Sequence, residues 1–530
     1  MKLLKKQALF VTLMATCAGL MCACGNGGDA STSSGSGNTS SSSTKKVTIT
    51  WWNNYQTPDD VTDESTRTNS KYREYWYAKD LIAAFQTEYP NITVESSYKG
   101  SYSDIYTAAN TALSTGDQPN IVSCYGDSVA GFMNSAEDAV LDMSTYAKEL
   151  ENDSDFNQNY LSIEKSMYGG KYYSLPYSKS SETLVFNQTM FDLEGAGKAG
   201  ADTDSYTAPV AASSKKKYTV PETIYDLMDL AKTIKADFPD IYGDDKQYDE
   251  KGYFKAVPFV WDSSENMFIT MLQNAGLAYT DGTASSAASR ILFKTDGAKD
   301  LMVQIKKWNN EGLFATQSQL PVTNEAKDYH QYSSNMLAAG TVAMCVSSTA
   351  GARYFSTTGG FKASFNHPVN WTKGSKAANA KVISQGPSLC FFDKGTDAND
   401  ASFTFYKYLT NATNSGKLAA NTSYFPLRSK GYEDESIVKA VEANKKGCDY
   451  SATYTEKNSV YTGAVLSLNE TYTTNSNYFL SPVFSESAAT RTAVGKLVRE
   501  VLDNKTAKTD AEIKAAVDTA FTNAYTSILK

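Results

Sequence analysis

Histidine is almost missing from this chain: His330 and His367 are the two examples in 530 residues. They sit in unrelated contexts, "KDYHQYSS" and "SFNHPVNW", which argues against a histidine-based triad and against a two-histidine metal site. Positive charge is also in short supply. Lys and Arg number 50 against 58 Asp and Glu, for a net charge of −8; no basic stripe appears, and nucleic-acid binding is disfavoured. Beyond Met21 no apolar run reaches the roughly 18 residues that a membrane-spanning helix needs. No repeat of fixed period is visible, and no cysteine pair has zinc spacing. The body holds Cys124, Cys345, Cys390 and Cys448; three of them lie in apolar runs, "NIVSCYG", "TVAMCVSS" and "PSLCFF". There they read as small buried hydrophobes or as halves of disulfides.

What is present begins with a processing signal. Lys2, Lys5 and Lys6 precede an apolar stretch from Ala8 to Met21, a basic n-region and an h-region of signal-peptide length. Met21-Cys22-Ala23-Cys24 resembles the bacterial lipobox, with Met21 where leucine is usual. That resemblance implies a lipid on Cys24, with a plain cleaved signal as the alternative. The Ser/Gly/Thr run to Thr44 has nothing to bury and reads as a flexible tether of roughly 26 Å. Residues 1–23 are thus expected to be a signal peptide and 24–45 an anchor and linker. The working body would then lie outside the cytoplasm at the cell membrane.

That body, whose length suggests two or three domains, alternates strand and helix patterns. "KKVTITWW" alternates Val47, Ile49 and Trp51 on one face, and "YAKDLIAAFQTEYP" stacks Leu81, Ile82, Phe85 and Tyr89 on a helical stripe before Pro90. "NITVESSY" reads as a strand, "YTAANTALSTG" as a helix ended by Gly116, and "PNIVSCYG" as a third strand. This order marks an α/β domain with a largely parallel sheet, which binds ligands at the C-terminal ends of its strands. Glu194 to Thr219 is polar and unpatterned and reads as an exposed excursion. Further helices are expected in "PETIYDLMDLAKTIKADFP", "GAKDLMVQIKKWNNEG" and "TAVGKLVREVLDNK".

Some motifs fail in context. "GAGKAG" matches G-x-G-x-x-G but follows an acidic loop rather than a strand. "DSDFNQNYLSIE" spaces Asp153, Asp155, Asn157 and Glu164 like a calcium loop, yet Gln158 stands where the sharp turn needs glycine. A glycosidase needs two carboxylates across one bond, and the sequence nominates no pair.

A series of strings carries the positive signal: "WWNNY", "YKGSYSDIYTAANTALSTGDQPNIV", "YGGKYYSLPYSKSSETLVFN", "WNNEGLF", "GTVAMCVSSTAGARYF", "ISQGPSLCFF" and "NTSYFPLRSKGY". In this order they resemble the family 1 extracellular solute-binding proteins of ABC importers, in the branch of sugar and sn-glycerol-3-phosphate binders. The resemblance covers Val47 to Tyr432. It implies an α/β, two-lobe periplasmic-binding-protein type II fold with interleaved lobes: 46–175 with 340–385, and 176–339 with 386–530. Crossings are expected near Tyr173–Tyr177, Ala338–Val342 and Ser384–Ser388. The expected partners are a carbohydrate ligand, ABC permease subunits and the membrane through the anchor. No nucleic acid, cofactor, metal or catalytic residue is expected, and the protein is expected to be a monomer.

Strand-end position and this resemblance together nominate Trp52, Tyr102 and Asp127 in the first lobe. The resemblance also nominates Ser180 and Ser181 in "PYSKSSETLVFN", Ser347 and Ser348 in "VSSTAG", Gly386 in "SQGPS" and Tyr424 in "SYFPLR", with Trp261 as the second lobe's stacking platform. Each has a structural rival. Trp52, Tyr102 and Trp261 could be packed core, Ser180 and Ser348 could cap backbone, and Asp127 could be a helix N-cap. Glycerol-phosphate binders of this branch carry glutamate where Gly126 stands and a late arginine where "TGAVLSLNETY" has none. Arg353 and Arg428 are the substitutes. The expected ligand is a neutral oligosaccharide, with a phosphorylated polyol second and an anchored hydrolase or adhesin as a different class.

Overall fold

The computed structural model describes residues 45–191, 218–325, 329–356, 361–449, 452–475 and 477–529. The expected signal segment, Cys24, the expected tether and the polar stretch from Glu194 to Lys217 lie outside the described residues. Lys45–Lys530 is a single compact unit, built on two five-stranded sheets.

The first sheet grows from the expected alternation. Strand β1 (Val47–Asn53) buries Ile49, Trp51 and Asn53. It pairs in parallel with β2 (Ile92–Tyr98) and β3 (Ile121–Cys124), with Val47 opposite Ile92 and Trp51 opposite Ile121. The helix Arg73–Glu88 between β1 and β2 buries Trp76, Leu81, Ile82 and Phe85. The helix Tyr102–Leu113 starts at a capping box: the Ser101 hydroxyl accepts from Asp104 N, and the Asp104 carboxylate accepts from Ser101 N at 2.8 Å. Strand β4 (Ser174–Pro176) joins this sheet later, at its edge.

The second sheet has the order β11-β5-β10-β6-β7. Its strands are β5 (Glu182–Asn187), β6 (Val257–Trp261), β7 (Phe314–Thr316), β10 (Val342–Ser348) and β11 (Ala363–Asn366). A small hairpin of β8 (Val322–Asn324) and β9 (Tyr329–His330) stands apart. The helices Ile224–Asp237 and Asp296–Asn310 carry the apolar stripes read from the sequence. Together with Ser487–Asp503 and Asp510–Ile528 they build the larger core around Phe259, Phe268 and Phe521.

Two of the expected crossings fall close to where they were placed. The chain leaves β4 and enters β5 through Tyr177–Ser181, just past the expected Tyr173–Tyr177. It returns from β12 (Val382–Ile383) to β13 (Ser388–Phe391) through Ser384–Pro387. The two segments run as an antiparallel ladder: Ser180 N donates to Gln385 O at 2.9 Å, Gln385 N to Ser180 O at 3.0 Å, and Ser178 N to Pro387 O at 3.0 Å. β14 (Tyr478–Phe479) pairs with β12, and the preceding helix Tyr454–Thr474 reaches both cores, Val465 in the second and Leu466 in the first. That is the third passage.

The expected crossing at Ala338–Val342 is corrected. The helix Ser333–Ala338 and β10 both belong to the second lobe, because β10 lies between β5 and β6. The lobe ranges change with it. Residues 340–385 were expected in the first lobe, but β10 and β11 are in the second sheet. β13, expected in the second lobe, pairs with β3 and β4, and the helices Thr396–Leu409 and Ala412–Thr422 pack on the first core through Phe405 and Leu418.

Candidate ligand-binding cleft

Strand ends from both sheets converge on one interlobe recess of about 660 Å³. Asn54 follows β1, Asp262 follows β6, Gln317 follows β7, and Ser347 and Ser348 end β10. This is where α/β sheets present ligand contacts. The first lobe adds Glu74, Thr422 and Tyr424; the second adds Glu182, Tyr332, Arg353 and Tyr354. A narrower chamber of about 170 Å³, walled by Tyr125, Asp127, Gly386 and Arg491, shares Asn266 and Gln385 with the main recess.

Two carboxyls dominate the recess. Glu182 Oε1 accepts from the Trp261 indole N–H at 3.0 Å, and Oε2 from the Thr270 hydroxyl at 3.4 Å. Burial outweighs these bonds and pushes its carboxyl up to about 7. Asp262 is also raised, to about 6, by burial. Its Oδ1 is enclosed and has no well-formed hydrogen bond among the described residues, although the Ser333 and Ser347 hydroxyls partly offset the effect of burial. The strand end becomes a helix start here: the Ser263 hydroxyl accepts from Asn266 N at 3.1 Å and caps Ser264–Asn274.

The cations are accounted for differently. Arg353 spans the lobes: it meets Glu74 Oε1 at 2.5 Å and donates to Asn421 O at 3.3 Å and the Tyr354 hydroxyl at 3.0 Å. Desolvation opposes its charge, but Glu74 holds the guanidinium firmly protonated. Arg491 donates to Asn266 Oδ1, Asn266 Nδ2 donates to Gln385 Oε1 at 2.8 Å, and Gln385 Nε2 donates to Ser181 O at 2.9 Å and the Ser348 hydroxyl at 3.1 Å. This chain ties the second lobe to the crossing strand. Aromatic faces stand open beside it. Tyr332 is 63% exposed and Tyr354 is 55% exposed, unlike the packed rings of either core.

The sequence matches the model of the bacterial extracellular solute-binding protein family over residues 80–446. The chain belongs to this family. No curated protein shows significant sequence similarity to it. Among solved structures it is similar to the cyclic alpha-maltosyl-1,6-maltose binding protein of Arthrobacter globiformis, at 12% identity and a TM-score of 0.61, over 91% of this chain and 99% of the other. It is similar to the maltose/maltodextrin-binding domain MalE of Bdellovibrio bacteriovorus, solved with maltotriose, at 15% identity and 0.58, over 91% and 100%. It is also similar to UgpB of Mycobacterium tuberculosis, solved with glycerophosphocholine, at 16% identity and 0.58, over 91% and 97%. The fold is the two-lobe type II form of periplasmic binding proteins, as the resemblance implied.

Within this solute-binding protein the nominated residues separate into two groups. Ser347, Ser348 and Tyr424 line the main recess, and Asp127 and Gly386 the narrower chamber. Tyr102 lines an adjoining interlobe groove with its ring 4.8 Å from that of Tyr125. Gly386 has φ of +94°, and a Cβ there would lie 1.9 Å from the Ser178 carbonyl oxygen; only glycine lets the two crossing strands approach this closely. Asp127 sits in the first turn of the helix Gly126–Ala136, where its side chain also accepts from Ser128 N.

The others are corrected. Trp261 is 0% exposed and packs on Phe259 and Trp371, so it is core, and its contribution to the recess is to hold Glu182. Ser180 and Ser181 are buried in the crossing ladder, with the Ser181 hydroxyl donating to Ile383 O at 2.9 Å. Trp52 packs against the first-lobe cluster under the Lys99 ammonium, 4.3 Å from its ring. Arg428 lies away from the cleft, bonded to Asp153, near Asp155 at 3.6 Å and donating to Thr410 O. The calcium-like spacing of those aspartates thus serves an arginine clamp. Sequence reasoning missed Glu182, Asp262, Tyr332 and Tyr354. For Asp262 a signal existed: it is the first residue past a buried strand and directly precedes a capping serine.

Proposed function

We propose that this protein is the solute-capturing component of an ABC importer. It takes up an oligosaccharide between its lobes and hands it to permease subunits while tethered to the membrane by a lipid on Cys24. The observation that carries the sugar reading is the make-up of the main recess: an unpartnered carboxyl oxygen on Asp262 and the buried Glu182 carboxyl beside the open rings of Tyr332 and Tyr354. Sugars present hydroxyl donors and apolar C–H faces, and this pairing serves both. Ser347, Ser348 and Tyr424 would add hydroxyl contacts. The maltotriose and cyclic maltosyl-maltose ligands named for the similar structures support the same class.

Residues from both lobes reach the recess, which is what ligand-driven closure requires. Moving a lobe equilibrium from 1:99 to 99:1 takes about 5.5 kcal/mol of differential binding. Arg353 already neutralises Glu74, which leaves the main recess poorly suited to a phosphate. The glycerophosphodiester reading keeps one supporting feature. Arg491 faces the narrower chamber without a carboxylate within 4 Å among the described residues, and UgpB is a structural relative. A thermal-shift screen with maltotriose, mannobiose and glycerophosphocholine separates the two readings. Ligand at 100 times its dissociation constant adds about 2.7 kcal/mol of stability. Turnover of any of these compounds would instead favour an anchored hydrolase.

A further inference from the structure

The second lobe holds another recess, of about 620 Å³, that shares no lining residue with the interlobe cleft. It lies where the C-terminal turns of the helices Asp296–Asn310 and Ser487–Asp503 meet the loop Tyr248–Phe254. Lys306, Arg499, Lys505 and Lys508 line it. None of the four has a carboxylate within 4 Å among the described residues. Asp503 is the acid on the wall, beyond ion-pair distance, and Lys251 at the rim is taken by Glu325 at 2.5 Å.

Such crowding is unexpected in a chain of net charge −8. Cations do gather at helix C-termini to meet unpaired carbonyls, and Lys306 does this in part, donating to Leu502 O at 2.7 Å and to Asn309 Oδ1 at 3.3 Å. That uses two of its three N–H groups. The Arg499 guanidinium makes no hydrogen bond among the described residues. Lys505 and Lys508 reach only Gly252 O and Asn310 Oδ1, each at 3.4 Å. Lys306 is 1% exposed, and burial with the nearby Lys508 charge pushes its ammonium down to about 8. Helix capping explains one lysine; it does not explain four cations facing one cavity with no ion pair among the described residues.

We propose that this recess binds a small multiply charged anion bearing phosphate groups, at a site separate from the interlobe cleft. A polyphosphate would supply acceptors to all four cations and relieve their mutual repulsion. Tyr248, 40% exposed at the rim, would border its less charged end.

The probes are inorganic phosphate, pyrophosphate and tripolyphosphate, titrated calorimetrically into the full chain at low ionic strength. The expected result is one site per chain, tightest for tripolyphosphate. Lys306→Met and Arg499→Gln should each weaken it about tenfold or more. Arg499→Gln removes a half-exposed side chain without a bond, so it reads out even if Lys306→Met folds poorly. Asp262→Ala in the cleft and Lys445→Gln with Lys446→Gln on the surface should leave the affinity unchanged. Absence of saturable binding would overturn the proposal, as would equal loss in the surface variant or undiminished binding by Arg499→Gln. Binding confined to long polyanions or acidic proteins would overturn it as well.

Discussion

Glu182→Gln tests the electrostatics of the cleft in a way that separates them from packing. The carboxyl is buried at the start of β5, and its two oxygens meet an indole N–H and a hydroxyl. Glutamine has the same shape, keeps an oxygen for Trp261, and can turn its amide toward the Thr270 hydroxyl, which accepts. The difference between the proteins is therefore the titration. Burial raises the Glu182 carboxyl from its ordinary 4.5 to about 7, so between these values the folded state holds a proton that the unfolded chain has lost. Stability then falls as pH rises through this window and levels above it. At 1.36 kcal/mol per pH unit the span converts to about 3 kcal/mol. The glutamine variant lacks this decline, so it should gain about 3 kcal/mol on the parent between pH 4.5 and ~8. Asp262 and the other titrating groups are common to both proteins and cancel. Urea unfolding of both at four pH values measures the gap. A gap that stays flat, or that widens on acidification, refutes a proton held by burial at Glu182.

Other outcomes follow from the same geometry. Gly386→Ala should destabilise the protein by at least about 1–3 kcal/mol in denaturant melts, since φ of +94° is strained for alanine and Ser178 O blocks its Cβ; unchanged stability would mean the crossing strands lie farther apart. Trp261→Ala should cost about 3–5 kcal/mol of stability as a core truncation; an affinity loss with no change in melting temperature would mean the ring lies in the cleft instead. Cys24→Ala should move the protein from the membrane fraction to the medium, because two acyl chains anchor stably and a polar tether does not; if Cys22→Ala is shed and Cys24→Ala is retained, the lipid is on the other cysteine.

Local patterns carried the local elements. The alternation of Val47, Ile49 and Trp51 and the stripe of Leu81, Ile82 and Phe85 recur as β1 and its following helix. Which sheet a strand joins is a different kind of information. "TVAMCVSS" reads equally well as a buried strand in either lobe, and pairing to Val257 and Phe259 on one side and Phe186 on the other decides it. The same limit applies at strand ends. Phe259 and Trp261 share a face, and that face meets Trp371 and the second core, so alternation favoured a packed Trp261 over a platform. Ser180 and Ser181 were found as part of a special segment, yet their work is backbone pairing across the hinge. Arg428 was misread because its partners, Asp153 and Asp155, are distant in sequence. Tyr332 and Tyr354 gave no signal, since exposure depends on the facing lobe.

Calorimetric titration of maltotriose and longer oligosaccharides into the protein and into its Asp262→Ala variant, with glycerophosphocholine alongside, tests the central claim most directly. Sugar capture in the cleft predicts one site per chain for at least one oligosaccharide. Loss of an acceptor to bound hydroxyls should weaken the variant about tenfold or more, and glycerophosphocholine should bind feebly. Tight glycerophosphocholine binding with no oligosaccharide bound, or sugar binding that Asp262→Ala leaves untouched, would contradict it.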